Sequence, residues 1–229
     1  AIATIIYNPL VQEQTHFWVR IPVSEQNGHK VFDSEGKEIK SVSFVPISEK
    51  VRSMVGHNKQ ITHEMVFEAK LPALGFATYF VTKENTKLIE NKYELGRNSD
   101  QDYVLKGKGI ELVVSHQNGG AMHLVKNGKK HRLAQKFHYY PANAAVWEMC
   151  PTGPSIDVSD HNTHVAHAAK YAGFSEVTQK VNDWVWQTIR VYEDKEEVEF
   201  DWVVGPLPEE GKINHEVVTR FETDIRNDK

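Results

Sequence analysis

Alternation of apolar and polar residues with a period of two is the feature that most constrains this 229-residue chain. Successive side chains of a β-strand point to opposite faces, so a half-buried strand reads as apolar at every second position. Phe17, Val19, Ile21 and Val23 share one face, and Met65, Phe67, Ala69 and Leu71 another. Phe76, Thr78 and Phe80 alternate with Ala77, Tyr79 and Val81, and Trp184, Trp186 and Thr188 with Val185, Ile189 and Val191. Val198, Phe200, Trp202 and Val204 lie opposite Glu199 and Asp201. No segment keeps a helical period for three turns. Turn chemistry falls between these runs where a hairpin needs positive φ, at Asn27-Gly28, Glu35-Gly36, Asn118-Gly119-Gly120 and Asn127-Gly128. The chain is therefore expected to be all-β and sandwich-like.

The pattern breaks at Lys83 to Lys87, which sets an expected boundary between a small β-sandwich over residues 1–84 and a larger β domain over 85–229. In the second block, strands are expected near Leu88 to Leu95 and Ile110 to Ser115, then a hairpin at Asn127-Gly128, then aromatic strands reaching about Ile225. Pro141 to Lys170 reads as one long irregular stretch, and loops of that length are usually functional or packed against something. Glu193 to Glu197 reads as a solvated hairpin turn.

Charge narrows the function classes. With 27 Lys+Arg against 31 Asp+Glu the formal net charge is −4, so no basic excess is present for holding nucleic acid or an anionic membrane by counterion release. Stretches free of formal charge, such as Ala1 to Gln12 and Leu71 to Thr82, fall short of the roughly 20 apolar residues that cross a bilayer. No basic region precedes an apolar one at the N-terminus, so a retained signal peptide is not expected. The single cysteine, Cys150, permits no intrachain disulfide and reads as a buried thiol, and no Asn-x-Ser/Thr sequon occurs.

Asp157, Asp160, His161, His164 and His167 form the densest cluster of possible metal ligands. On a helix, histidines three apart would sweep around the surface by about 60° per step, so only neighbours would meet one ion. Catalytic zinc takes three protein ligands and an open position, and no metal site is assigned here. Gly107-Lys108-Gly109 is too short for a phosphate cradle, no nucleophile elbow is present, and the acids sit mostly in charged runs. Trp147, Tyr139, Tyr140, Trp184, Trp186 and Trp202 offer flat faces of the kind that stack on sugars. The alternating strand tryptophans read as core, whereas Trp147 lies beside the irregular stretch.

The order of several motifs resembles one family. Ile6 to Leu10 followed by His16 to Val23 resembles the opening of the first β domain after the catalytic domain in class II α-mannosidases of the lysosomal type, glycoside hydrolase family 38. Leu71 to Tyr79 is similar to the closing strand of that domain. Leu88 to Tyr93, Trp202 to Pro208 and Glu216 to Thr223 resemble, in order, the start and interior of the β-supersandwich that follows, a galactose-mutarotase-like domain. The resemblance implies a non-catalytic β chain of an enzyme that hydrolyses terminal α-D-mannosidic bonds in glycans, with lysosomal or secreted location. Zinc and both catalytic carboxylates would lie in a separate catalytic chain, and other chains of the same precursor would be the partners. This reads as a middle piece, and residues 85–229 as an incomplete supersandwich. Strands at Trp184 to Tyr192 and Val217 to Ile225 are then expected to lack neighbours within the chain. Ala144-Ala145-Val146-Trp147 before Pro151 to Pro154 puts Trp147 where the family has a tyrosine that reaches the mannose pocket. Trp147 is thus the one substrate-binding candidate, with a stacking face and one donor but no phenolic hydroxyl. The rival expectations are a free-standing carbohydrate-binding β module and a purely structural interaction domain.

Overall fold

The computed structural model describes residues 1–24, 28–54, 56, 60–90, 92–117, 121–143, 150–159, 163–207 and 214–224. Residues 1–93 with 171–173 form one compact unit, and 94–170 with 174–229 a second. All described strand pairings are antiparallel. No helix among the described residues is long and apolar enough to cross a membrane.

The first unit contains β1 (Ile2–Tyr7), β2 (Gln14–Val23), β3 (His29–Phe32), β4 (Glu38–Ile39), β5 (Ser43–Pro46), a short helix α1 (Glu49–Met54), β6 (His63–Leu71) and β7 (Phe76–Lys83). β1-β7-β3-β4 make one sheet and β2-β6-β5 the other. The inward face of β6, Met65, Phe67, Ala69 and Leu71, is almost wholly buried against Val19 and Val23 of β2, Phe44 of β5, Val31 of β3 and Tyr79 and Val81 of β7. One apolar cluster thus joins both sheets into a sandwich. Phe17 begins the same face of β2 yet is 40% exposed, and the ladder to β6 shifts register between Gln14 and Phe17. Asn8 is buried, and its side-chain amide makes three hydrogen bonds to the backbone. Its Nδ2 donates to the carbonyls of Gln12 and Pro72, each at 2.9 Å, and its Oδ1 accepts from the Leu10 N–H at 3.1 Å. One side chain therefore fastens the β1–β2 and β6–β7 connections together.

The second unit contains β8 (Tyr103–Gly107), β9 (Ile110–Val114), β10 (Ala121–Lys126), β11 (Lys129–Asn143), β12 (Cys150–Pro151), β13 (Ile156–Asp157), β14 (His164–Tyr171), β15 (Phe174–Lys180), β16 (Val185–Tyr192), β17 (Val198–Val204) and β18 (Asn214–Thr223). The order β14-β15-β16-β17 gives one sheet. The other is built on the 15-residue β11, with β10, β13 and β12 in turn along one edge and β18 along the other. Asn127 and Gly128, at φ +53° and +72°, close the two-residue β10–β11 hairpin, where both central residues need positive φ. Gly107 has a packing role. A Cβ there would stand 2.7 Å from the carbonyl oxygen of Lys195, which instead accepts the Lys108 N–H at 2.9 Å.

Three expectations are overturned in this unit. Leu88 to Leu95 is no strand: Leu88 plugs the core of the first unit and Leu95 that of the second, with no ladder among the described residues between them. The irregular stretch is shorter than expected, since β11 runs through Pro141 to Asn143 and β14 takes up His164 to Tyr171. The strands expected to lack neighbours have them. β16 lies between β15 and β17, and β18 pairs with β11 from Asn214 to Thr223. Pairing between segments far apart in sequence leaves no local mark in an alternation pattern.

Between the two sheets of this unit the inward positions change character midway along three strands. Val177, Gln179 and Val181 follow one another on β15 and just beyond it; Val185, Gln187 and Ile189 do so on β16; and Leu133, Gln135 and Phe137 on β11. Val177, Ile189 and Leu133 belong to one apolar cluster, and Val181, Val185 and Phe137 to another. The three glutamines form a polar layer separating them.

Candidate functional site

Trp147 lies outside the described residues, but the stem from which its segment departs is well defined. Asn143 pairs with Cys150 and Ala142 with Pro151. The Thr152 N–H and hydroxyl both donate to the Pro141 carbonyl, at 2.8 and 3.1 Å. β18 buttresses the same end of β11 from its other edge, pairing His215 with Pro141, and the His215 ring meets Tyr139 edge-on at 4.5 Å. Tyr139 and Tyr140 are half-buried. Cys150 is half-buried too, which corrects the expectation of a buried thiol: it sits on a two-residue strand at the stem.

Of the proposed ligand cluster, Asp160 and His161 lie outside the described residues. His164 and His167 fall on β14, where residues three apart face opposite sides of the sheet. They cannot close on one ion together, so the helical geometry considered for them does not apply. Asp157 accepts the Ser159 N–H at 2.9 Å and has Lys136 Nζ at 3.6 Å. Burial alone would raise its pKa, but the hydrogen bonds from Ser159 and the charges of His138 and Lys136 outweigh that and hold the carboxyl below the usual aspartate range. The strand tryptophans are less buried than a core reading implies. Trp184 packs on the second apolar cluster, Trp186 is half-buried, and Trp202 is 39% exposed with its ring edge against Phe137.

The residues that sequence reasoning missed are the glutamines. Gln135, Gln179 and Gln187 are 7%, 2% and 2% exposed, and all three line a cleft of about 670 Å³ with Asp157, Ser159 and Thr163. Gln179 and Gln187 are direct cross-strand partners, and Gln187 Nε2 donates to Gln179 Oε1 at 3.1 Å. Gln135 Nε2 donates to the Thr219 hydroxyl at 2.9 Å. The other end of two of these amides, Oε1 of Gln135 and Oε1 of Gln187, is buried with no hydrogen-bond partner among the described residues. The signal available in sequence was a glutamine at an inward-facing step of an otherwise apolar alternation.

Comparison with known proteins follows the same division of the chain. Residues 105–229 match the family described as glycosyl hydrolases family 38 C-terminal domain, and residues 41–81 the lysosomal alpha-mannosidase-like central domain. The chain is 24% identical over 249 residues to the alpha-mannosidase of Canavalia ensiformis, covering 100% of this chain and 25% of that protein. It is 27% identical over 236 residues to the lysosomal alpha-mannosidase of Mus musculus, covering 96% of this chain and 22% of that one. An alpha-mannosidase structure from Enterococcus faecalis V583 aligns with 94% of this chain and 30% of its own, at a TM-score of 0.47 and 10% identity. The chain spans about a quarter of the length of the curated relatives it matches.

Proposed function

The chain belongs to glycoside hydrolase family 38, and from that premise we propose that it is the non-catalytic β portion of an α-mannosidase acting on terminal α-D-mannosidic bonds of glycans. The observation that carries this reading is the pair of family matches, a central domain at residues 41–81 followed by a C-terminal domain at 105–229. The first unit acts as the small sandwich, and the second as part of the supersandwich that braces a separate catalytic portion. Lysosomal or secreted location is part of the same reading, and the relatives named lysosomal alpha-mannosidase support its lysosomal form. Zinc belongs to the catalytic portion. Among the described residues of the cluster around Asp157, His164 and His167 face opposite sides of β14 and do not close on one ion together.

The end of β11 is paired on both edges, with β12 and with β18. On this reading Trp147 forms one wall of the mannose pocket, stacking on the sugar at the position that the resemblance gives to the family's tyrosine. Changing Trp147 to Ala in the full-length protein is expected to lower kcat/KM for an aryl α-mannoside at least tenfold with little change in melting temperature. A sharp fall in melting temperature with normal kinetics of the folded fraction would make Trp147 a core residue instead. The isolated chain, assayed with and without zinc, is expected to show no turnover. Native material should carry larger chains alongside a 26.2 kDa species. A lone 26.2 kDa protein that binds glycans would favour the free-standing carbohydrate-binding module.

A further inference from the structure

We propose that the outer face of the β1–β7 pair in the first unit is the surface against which the remainder of the full-length protein packs. This rests on the reading that the chain is one portion of a longer protein of that family, and it names the face by which the portion is attached. Charge sets this face apart. Ala1 to Gln12 and Leu71 to Thr82 are each free of formal charge, and the ladder of β1 with β7 lays the two stretches side by side. Tyr79 and Val81 point into the core, so Phe76, Thr78 and Phe80 point out, with Tyr7, Ile5 and Ala3 directly opposite them. The rings of Tyr7 and Phe76 meet at 4.7 Å. Leu10 and Leu74, whose backbones bond at 2.9 Å from the Leu74 N–H to the Leu10 carbonyl, extend the apolar surface past the strand ends. On β3 it stops at the exposed Lys30, which shares the outward side with Phe80.

The size of the face calls for a partner. Ile5, Tyr7, Leu10, Leu74, Phe76 and Phe80 are between 38% and 66% exposed, and at about 150–250 Å² for a whole large side chain they present roughly 500–800 Å². The largest apolar patch of an ordinary monomer is about 300–600 Å², and one side of a standard interface is about 800 Å². β1 is also the end strand of its sheet, and none of its six residues is a charge or a proline of the kind that shields a free edge. Length identifies the occupant. The chain is about a quarter of the relatives it matches. The rest of such a protein is tethered to this chain and meets the face at an effective concentration in the millimolar range, ahead of any second copy. Its contacting surface is uncharged and apolar, because a charge set against Ile5, Tyr7 and Phe76 would lose its water and gain no partner.

The test is hydroxyl-radical footprinting of the full-length protein that carries this chain, folded and in urea, with modification rates read residue by residue by mass spectrometry. Tyr7, Phe76 and Phe80 are expected to react about tenfold or more slowly in the folded protein, as slowly as the buried Phe67 and Tyr79 of the same sample. Phe76 is 65% exposed within this chain, so a lysine there is tolerated unless something covers it. Phe76→Lys is expected to lower the melting temperature of the full-length protein by about 5 °C or more. A variant too unstable to purify leaves the decision to the footprint. The proposal is overturned if the three residues react at close to their unfolded rates, or if Phe76→Lys leaves the melting temperature unchanged. It is overturned equally if their protection disappears on dilution to a monomer, which would assign the face to a second copy. Mannosidase activity of the same wild-type sample reports separately: an active protein with a reactive face loses this proposal alone, and an inactive one with a protected face loses the function proposed above alone.

Discussion

Replacing Arg190 by Met is expected to destabilise the protein by about 3–5 kcal/mol, the range for stripping one partner from a buried ion pair. Arg190 lies within β16, and its direct cross-strand partners are Glu176 on β15 and Glu199 on β17. Its Nε donates to Glu176 Oε2 at 3.2 Å, and its Nη1 to Glu199 Oε1 at 2.5 Å and Asp201 Oδ2 at 3.0 Å. At 3.2 Å and an effective dielectric of about 20, a single such pair attracts by about 5 kcal/mol. Removing both ions from water costs a similar amount, so the intact pair contributes little net stability, whereas breaking it leaves the desolvation cost unopposed. The side chains of Glu199 and Asp201 are 45% and 54% exposed and can rehydrate, while that of Glu176 is 3% exposed and cannot. The penalty therefore falls on Glu176. Adding Glu176→Met should regain most of the loss, since two methionines pack without a stranded charge. Urea denaturation of both variants in the full-length protein, followed by tryptophan fluorescence, measures this. A loss under about 1 kcal/mol in the single variant, or a double variant no more stable than the single, would refute the reasoning.

Two further outcomes follow from geometry already described. Asn8→Ala removes three side-chain hydrogen bonds to the backbone from a buried site and should cost about 1–3 kcal/mol, read as a shift of the urea midpoint with unchanged slope. Because Asp157 has a depressed pKa when folded, its contribution is complete above the ordinary aspartate pKa and is lost as pH falls through the folded value. The wild-type urea midpoint should therefore fall more steeply from pH 5 to pH 3 than that of Asp157→Asn, and parallel curves would rule the contribution out.

Much of the fold was legible because burial on one face of a strand writes itself into every second residue. Met65, Phe67, Ala69 and Leu71 mark β6, Asn127-Gly128 the β10–β11 hairpin, and Glu193 to Glu197 the turn between β16 and β17. β14 was missed because His164, Ala166, Ala168 and Lys170 alternate with Val165, His167, Ala169 and Tyr171, a contrast too weak to register. The pairing of β18 with β11 was missed because it joins segments about 80 residues apart. The glutamine layer failed for a different reason. A lone glutamine in a strand pattern reads as solvent-facing, and only the cross-strand register brings Gln179 and Gln187 together. Trp147 rested on position relative to flanking motifs.

The way β11 is flanked has a consequence for synthesis. One edge is covered by segments on either side of it within a few dozen residues, but the other waits for β18: Gln135 and Thr219, which meet across that ladder, are 84 positions apart. At about 5–20 residues per second of translation, the second edge stays open for roughly 4–17 s after the first is made. During that interval a ten-residue row of unpaired backbone groups is accessible to any passing strand. Errors in this chain should therefore concentrate in the nascent molecule, and substitutions that merely delay the arrival of residues 214–223, synonymous slow codons included, should lower yield without touching the stability of the finished protein.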